Sequence, residues 1–91
     1  VIECTESIRQ ITGDKSIAVD RSLYRMVQTP QIFRSGILLK AYQQKYLPLF
    51  TDDASVVEHD GNSISLVDGN SENIKITTPR DLLIADKLLS I

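Results

Sequence analysis

Residues 73–77 (Asn-Ile-Lys-Ile-Thr) place a lysine where it could bind an anion. Two isoleucines alternate with polar side chains, which predicts a strand with one buried face and with Lys75 on the polar face. A helix start follows at once, because Thr78 suits the N-cap, Pro79 the first helical position and Asp81 a returning capping contact. Exposed helix N–H groups beside a lysine favour a phosphate. The competing interpretation is a solvated lysine on an edge strand.

Four polar clusters, this one included, stand where predicted elements begin or end. Ligands of open α/β sheets bind beyond the carboxyl ends of the strands, so the positions are suited to a binding site. Arginine offers a planar two-pronged contact, lysine a point charge and threonine a hydroxyl, which together would hold a phosphorylated polyol. The clusters are Val19-Asp20-Arg21, Gln28-Thr29-Pro30-Gln31, Thr51-Asp52-Asp53-Ala54 and Asn73-Ile74-Lys75.

The elements that must position these clusters mix strands and helices, which predicts the second half of an α/β domain. We expect an N-terminal hairpin or long β-arm, then a strand, two helices, two further strands and a last helix with an apolar stripe. Thr51 is the expected cap of the second helix. The predicted ranges are 1–11 and 16–19 for the arm, 23–28, 64–68 and 73–77 for strands, and 35–46, 51–58 and 82–89 for helices, the last with its stripe at Leu82, Ala85 and Leu89.

Composition narrows the class of protein. The 91 residues are 42% hydrophobic and 24% charged, as in globular domains, and the net charge of -2 argues against a nucleic-acid-binding surface. Cys4 is the only cysteine, which favours a reducing compartment. We expect no membrane segment, because no apolar run approaches about 20 residues. Since the only methionine is Met26, we interpret the chain as the C-terminal part of a longer protein.

The four clusters, in this order, resemble those of the 2-C-methyl-D-erythritol 4-phosphate cytidylyltransferases of non-mevalonate isoprenoid biosynthesis. The resemblance covers nearly the whole chain but only the C-terminal portion of the family. Tyr24 and Val27 depart from the residues common at those positions. The stretches that carry it are Val19-Asp20-Arg21-Ser22, residues 28–33, residues 51–58 and residues 73–82.

The resemblance implies a transferase that joins the phosphate of methylerythritol phosphate to the α-phosphorus of CTP. Arg21 and Lys75 would position the acceptor phosphate, and Thr29, Thr51 and, on a weaker match, Thr5 would bind substrate. It also implies Mg²⁺ held with CTP, mainly by residues outside this chain. We therefore assign Asp52 and Asp53 to the helix dipole and no residue to a metal.

As for fold and partners, the resemblance implies the C-terminal half of a Rossmann-like nucleotidyltransferase domain with a projecting β-arm. Residues 1–21 would form the arm and residues 22–91 the acceptor-substrate half. The arm would join a cytoplasmic homodimer (bacterial-type, with a plastid also open) and carry Arg21 into the partner's site. CTP and a polyol phosphate would be the ligands, with no nucleic acid and no membrane.

Two alternatives compete with this prediction. The related ribitol 5-phosphate cytidylyltransferases share motifs of the Gln28-Thr29-Pro30-Gln31 and Asn73-Ile74-Lys75 type, whereas residues 54–58 favour the isoprenoid enzyme. The other alternative is a dimerisation fragment that is catalytically silent as isolated. We expect the 91-residue chain by itself to be inactive, because the CTP-binding loop is expected upstream of it.

Overall fold

The computed structural model describes residues 1–90 of the chain as a mixture of short strands and helices. They divide into two compact units, one formed by Val1–Thr29 together with the segment from Val67 onward, the other by Pro30–Leu66. Ile91, the last residue of the predicted acceptor half, lies outside the described residues. The elements are β1 (Ile2–Glu3), β2 (Ile8–Thr12), β3 (Lys15–Val19), a 3-10 turn (Arg21–Leu23), β4 (Arg25–Met26), α1 (Ser35–Ala41), α2 (Asp53–His59) and α3 (Pro79–Leu89).

A hairpin is present, as predicted, but over residues 8–19; of residues 1–7 only Ile2–Glu3 is a strand, and it lies outside the hairpin. β2 and β3 pair antiparallel from Ile8 opposite Val19 to Thr12 opposite Lys15. The two-residue turn between them begins at Gly13, whose φ is 63°. Such a turn requires a positive φ at its first central position, and glycine adopts this conformation without strain. β1 pairs separately with β4, also antiparallel.

The predicted strand over residues 23–28 is wrong for most of its length, and only Arg25–Met26 is a strand. The reason is local hydrogen bonding. The Asp20 carboxylate accepts from the backbone N–H of Ser22 at 3.0 Å and from its hydroxyl at 2.7 Å. These contacts wind the chain into the 3-10 turn, because a short polar side chain competes with the ladder for nearby backbone groups.

The two strands predicted over residues 64–68 and 73–77 are also absent from the described structure. A strand exists only where a neighbouring chain supplies ladder hydrogen bonds, and most of this stretch has none. The exception is at Val1, whose N–H donates to Val67 O and whose carbonyl accepts from Gly69 N–H, both at 2.8 Å. That pair of bonds is the pattern of two parallel strands.

The second unit is built around α1 and α2. Ala41, Val56 and Val57 are its buried residues, at 0%, 4% and 2% exposure. Phe33, Leu38, Phe50 and Ile64 pack on them.

A polar bracket joins the same two helices. The Gln44 amide donates to Ala41 O at 2.8 Å and to Val56 O at 3.0 Å. Its oxygen lies 2.7 Å from Nδ1 of His59, whose ring meets that of Phe50 edge to face. α1 was predicted to reach residue 46 but ends at Ala41. In a longer helix the Ala41 carbonyl would accept from residue 45, and here the Gln44 amide takes that place.

The last helix begins as predicted. Thr78 is its N-cap, its hydroxyl accepts from Asp81 N–H at 3.2 Å, and Asp81 accepts in return from Thr78 N–H at 3.1 Å. Pro79 occupies the first turn, where a missing N–H costs nothing. The expected apolar stripe is uncovered within residues 1–90, since Leu82 and Leu89 are exposed.

The reciprocal cap of α3 predicts a specific loss of stability. Thr78→Ala in the parent protein should lower the free energy of unfolding by about 1 kcal/mol, because the Asp81 N–H loses its acceptor. Urea denaturation followed by circular dichroism measures this. Thr78→Ser keeps the oxygen and serves as the matched control, so an equal loss in both variants would contradict the capping role.

Acid should weaken the same cap. Hydrogen bonds from the backbone and hydroxyl of Thr77 and from Thr78 lower the pKa of Asp81. A carboxylate with a lowered folded pKa stabilises above the unfolded value, about 3.9, and loses that contribution as pH falls through the folded pKa. The stability difference between the parent and its Asp81→Asn variant should therefore be constant near neutral pH and shrink below about pH 4. Asp86→Asn, on the same helix but without a side-chain hydrogen bond among residues 1–90, is the matched control in the same urea titrations, and an equal trend in both variants would contradict the role of the Asp81 hydrogen bonds.

Candidate functional site

Arg21 is held at the end of the hairpin by its partner Thr5. One guanidinium nitrogen donates to the Thr5 carbonyl at 2.8 Å. This is the only hydrogen bond of the Arg21 side chain within residues 1–90, so its other N–H donors face away from partners in this part of the chain. The structure thus brings two of the predicted residues together, although the hydrogen bond to Arg21 comes from the Thr5 backbone and not from its hydroxyl.

The residue before Arg21 fixes the turn that carries it. Hydrogen bonds from the hydroxyl and the backbone N–H of Ser22 lower the pKa of Asp20. The charged carboxylate is the better acceptor, so the turn is best formed when Asp20 is ionised. Asp20 makes no ion pair with Arg21 in the described residues, which leaves the guanidinium charge unneutralised by its neighbour.

Thr29 and the segment that carries Lys75 are joined by Asn73. The Asn73 side-chain amide donates to Thr29 O at 2.7 Å across 44 residues of sequence. Lys75 follows two residues later, exposed and without a hydrogen bond or ion pair among residues 1–90. Its prediction as a strand residue is wrong, since residues 75–77 have no ladder partner there. An unpaired ammonium group beside a tethered backbone is suited to holding an anion.

Gln28, the neighbour of Thr29, holds the turn that precedes Lys75. Its amide nitrogen donates to Asn70 O at 2.8 Å and to Asn73 O at 3.1 Å. Within the turn, the Asn73 N–H donates to the side-chain oxygen of Asn70 at 3.0 Å and not to a neighbouring strand. Side-chain amides therefore form the hydrogen bonds to the backbone of this segment that a neighbouring strand would form in a sheet.

Thr51 belongs to the other unit, Pro30–Leu66, and lines a cavity of about 460 Å³. The aromatic side chains of Tyr42, Tyr46 and Phe50 share that lining. Tyr42 donates to the Asp53 carboxylate, and this hydrogen bond raises the pKa of Tyr42. An open cavity with aromatic walls and a threonine hydroxyl at its edge fits a polar ligand with an apolar face.

The expected role of Thr51 as helix cap is wrong, because Asp52 caps α2. The Asp52 carboxylate accepts from Ser55 N–H at 2.8 Å and from the Gln31 amide at 3.2 Å, while Gln31 in turn accepts from Ala54 N–H at 3.1 Å. Partial burial acts to raise the pKa of Asp52, but the hydrogen bonds from Ser55 and Gln31 outweigh it and the pKa is lowered. Released from capping, the Thr51 hydroxyl is open to a ligand.

A metal site is not formed by the side chains described here. Nowhere in residues 1–90 do three or more His, Cys, Asp or Glu side chains gather in a group that could hold an ion. Asp52 is engaged by its own helix and Asp53 by Tyr42, so neither points to a shared ion.

The predicted residues thus fall into three places. Arg21 lies with Thr5, Thr29 lies with the Lys75 segment, and Thr51 lies in the separate unit. Sequence reasoning quoted Gln28 and Asn73 within motifs but assigned them nothing. The sequence does show an amide side chain shortly before each candidate, Gln28 before Thr29 and Asn73 before Lys75. Such side chains can donate hydrogen bonds to distant backbone carbonyls.

No helix among the described residues is both long and apolar enough to cross a membrane.

Comparison with known proteins connects this arrangement to one family. Residues 1–90 match the family described as 2-C-methyl-D-erythritol 4-phosphate cytidylyltransferase. Proteins of that name share 53% identity with 98% of the chain in Bacteroides fragilis, 55% with 94% in Porphyromonas gingivalis and 44% with 94% in Bacillus cytotoxicus. The chain spans 41%, 39% and 39% of these relatives, respectively. The match extends over all three places at which the candidate residues lie, and the chain therefore belongs to the 2-C-methyl-D-erythritol 4-phosphate cytidylyltransferase family.

Proposed function

We propose that the chain is the acceptor-binding part of an enzyme that transfers CMP from CTP to 2-C-methyl-D-erythritol 4-phosphate. The products would be 4-diphosphocytidyl-2-C-methyl-D-erythritol and pyrophosphate, in non-mevalonate isoprenoid biosynthesis. The observation that carries this is the family match over residues 1–90, within which Arg21 and Lys75 both present unpaired cationic groups. The relatives bear the isoprenoid name, which favours this acceptor over ribitol 5-phosphate.

The proposed reaction needs no covalent bond between the protein and its substrates. A phosphate oxygen of the acceptor attacks the α-phosphorus of CTP, a new P–O bond forms, and the bond to the departing pyrophosphate breaks. Lys75 would hold the attacking phosphate as a point charge, and Arg21 would hold it with two parallel N–H groups. Positioning and charge stabilisation then supply most of the rate.

The threonines would also bind the acceptor. Thr29 is fixed through its carbonyl by Asn73, which leaves its hydroxyl for substrate. Thr51 would contribute a hydroxyl from the cavity edge, and Thr5, whose carbonyl anchors Arg21, a further one. Three hydroxyls are suited to a polyol, which is both donor and acceptor along its length.

Mg²⁺ bound with CTP would neutralise charge on the nucleotide phosphates. As the family resemblance implies, its ligands would lie mainly outside this chain. The loop that binds CTP would also lie upstream, and we therefore expect the isolated chain to lack turnover.

A Rossmann-like sheet with a projecting arm is the fold we propose for the parent domain. The parallel contact of Val1 with Val67 and Gly69 supports it, because parallel strands joined by long crossovers define that class. Residues 1–21 would form the arm and 22–91 the acceptor half. Ile11 and Ile17 are 76% and 60% exposed on the hairpin, as expected of side chains that a partner subunit covers.

We place the parent in the cytoplasm as a homodimer. Cys4 is a free cysteine, which is common in reducing compartments. In that dimer Arg21 would enter the partner's site, which agrees with its anchoring to Thr5, just before the hairpin, and not to the Lys75 segment.

Removing either cation should slow the reaction of the parent protein. Lys75→Ala or Arg21→Ala should cost about 2–4 kcal/mol of transition-state stabilisation, roughly 30- to 1000-fold in kcat/KM. Pyrophosphate release from CTP with methylerythritol phosphate measures it, and ribitol 5-phosphate run in parallel tests the rival acceptor. Lys87→Ala and Arg34→Ala remove exposed charges elsewhere and are the controls. A loss below about tenfold would count against the assigned roles, and faster turnover with ribitol 5-phosphate would reject the proposed acceptor.

Subunit mixing tests whether Arg21 acts across the dimer. An equal mixture of Arg21→Ala and Lys75→Ala subunits, exchanged by unfolding and refolding, contains heterodimers with one intact site if the arginine acts in trans. Activity should then recover to about a quarter of wild type, since half the dimers are mixed and each restores one of two sites. If Arg21 acts within its own subunit, every site in a mixed dimer carries one of the two substitutions. The mixture should then be no more active than the two variants measured separately.

A further inference from the structure

We propose that Gln28 and Asn73 are positioning residues that set the place of Lys75, and that Gly69 makes room for the Gln28 side chain. The inference rests on the proposed function, because it concerns how the acceptor phosphate is held. Neither amide is expected to touch substrate. They would act on the backbone from which Lys75 extends.

The first observation is how little else holds that backbone. From residue 70 to residue 77 the described chain has no sheet ladder. Before Lys75 its local bonds, Asn73 N–H to Asn70 O at 3.3 Å and Ile74 N–H to Glu72 O at 2.9 Å, are those of a turn. After Lys75, Thr77 donates from its backbone and hydroxyl to the Asp81 carboxylate at the start of α3. A lysine side chain is flexible, and a backbone without a ladder adds to that flexibility. Displacement of the ammonium group by about 1 Å can cost on the order of a hundredfold in rate.

The second observation is that side-chain amides supply the missing restraint from a distant part of the chain. Gln28 donates to the carbonyls of Asn70 and Asn73, which bracket the turn, at 2.8 and 3.1 Å. Asn73 returns the contact through its own amide to Thr29 O at 2.7 Å. Gln28 thus bonds to the backbone of the turn, and Asn73 bonds to the backbone next to Gln28. Together these bonds restrain the segment that ends two residues before Lys75.

Gly69 is the third observation. A Cβ built at this residue would collide with Oε1 of Gln28 and would lie 3.3 Å from Val1 O. The residue does not require a positive φ, so glycine here serves close approach and not backbone conformation. The glutamine side chain therefore crosses directly over the glycine on its way to the turn.

The chemistry of these contacts needs an amide. Both acceptors are carbonyl oxygens, and a Gln NH₂ group has two hydrogens to give them. A glutamate of the same length has no donor when ionised and would meet the two oxygens with a negative charge. Substitutions of amide by carboxylate thus break the link while keeping side-chain volume.

The test uses the full-length parent protein with Gln28→Glu and Asn73→Asp, and Gly69→Ala as a variant without a charge change. We expect each to raise the KM for methylerythritol phosphate on the order of tenfold, with the KM for CTP changed less than about twofold. Gln43→Glu introduces the same charge at an exposed glutamine whose side chain makes no hydrogen bond in residues 1–90 and is the matched control. Equal changes in both KM values would overturn the proposal, because general loss of structure does not select one substrate.

A double-mutant cycle with Lys75→Ala decides whether the effect passes through the lysine. If it does, Gln28→Glu should change the acceptor KM less than about twofold in the Lys75→Ala background. Additive effects in an active parent would overturn the positioning role while leaving the proposed function intact. A wild-type parent without pyrophosphate release, in contrast, would refute the proposed function itself, so the two failures are distinguishable.

Discussion

Hydrogen bonds from side chains to backbone carbonyls are the contacts on which the candidate site depends. Arg21 is fixed by one such bond to Thr5, the Lys75 segment by two from Gln28, and Thr29 by one from Asn73. Regular ladders elsewhere are short, with β1 and β4 contributing two residues each. The donors are amides and a guanidinium, which have fixed planar geometry and therefore hold direction as well as distance.

The second unit relies on the same device around a small core. Three buried residues, Ala41, Val56 and Val57, bury too little apolar area to fix two short helices firmly. Gln44 and Gln31 add polar brackets, one between the helices and one at the start of α2. The precision of the Thr51 position, next to the Asp52 cap, follows from these brackets and not from hydrophobic packing alone.

The parts of the fold that depend on neighbouring residues were predictable from sequence. Thr78, Pro79 and Asp81 lie within four positions of each other and define the start of α3, and Gly13 marks the hairpin turn. The sequence led to a wrong prediction where two adjacent residues could both serve as a helix cap. Thr51 was predicted to cap α2, but Asp52 does so.

Local signals failed more completely where the partner is distant. A strand over residues 73–77 needs another chain segment beside it, which alternation of side chains alone does not reveal. The partners of Gln28 lie 42 and 45 residues away, so no local pattern specifies them. Arg21, Thr29 and Lys75 became candidates through their joint order in a family resemblance. The amides of Gln28 and Asn73, which hold the Lys75 segment and Thr29, could be recognised only from the three-dimensional structure.

The long sequence separation between Gln28 and Asn73 also has a kinetic meaning. Joining them closes a loop of about 45 residues, at an entropic cost of roughly 3 kcal/mol, which is larger than the cost of closing the short loop of the β2–β3 hairpin. Contacts of this range form after local ones when a chain folds. We therefore expect the hairpin and the capped helices to form early in folding, and the contacts that hold the Lys75 segment to be among the last to form.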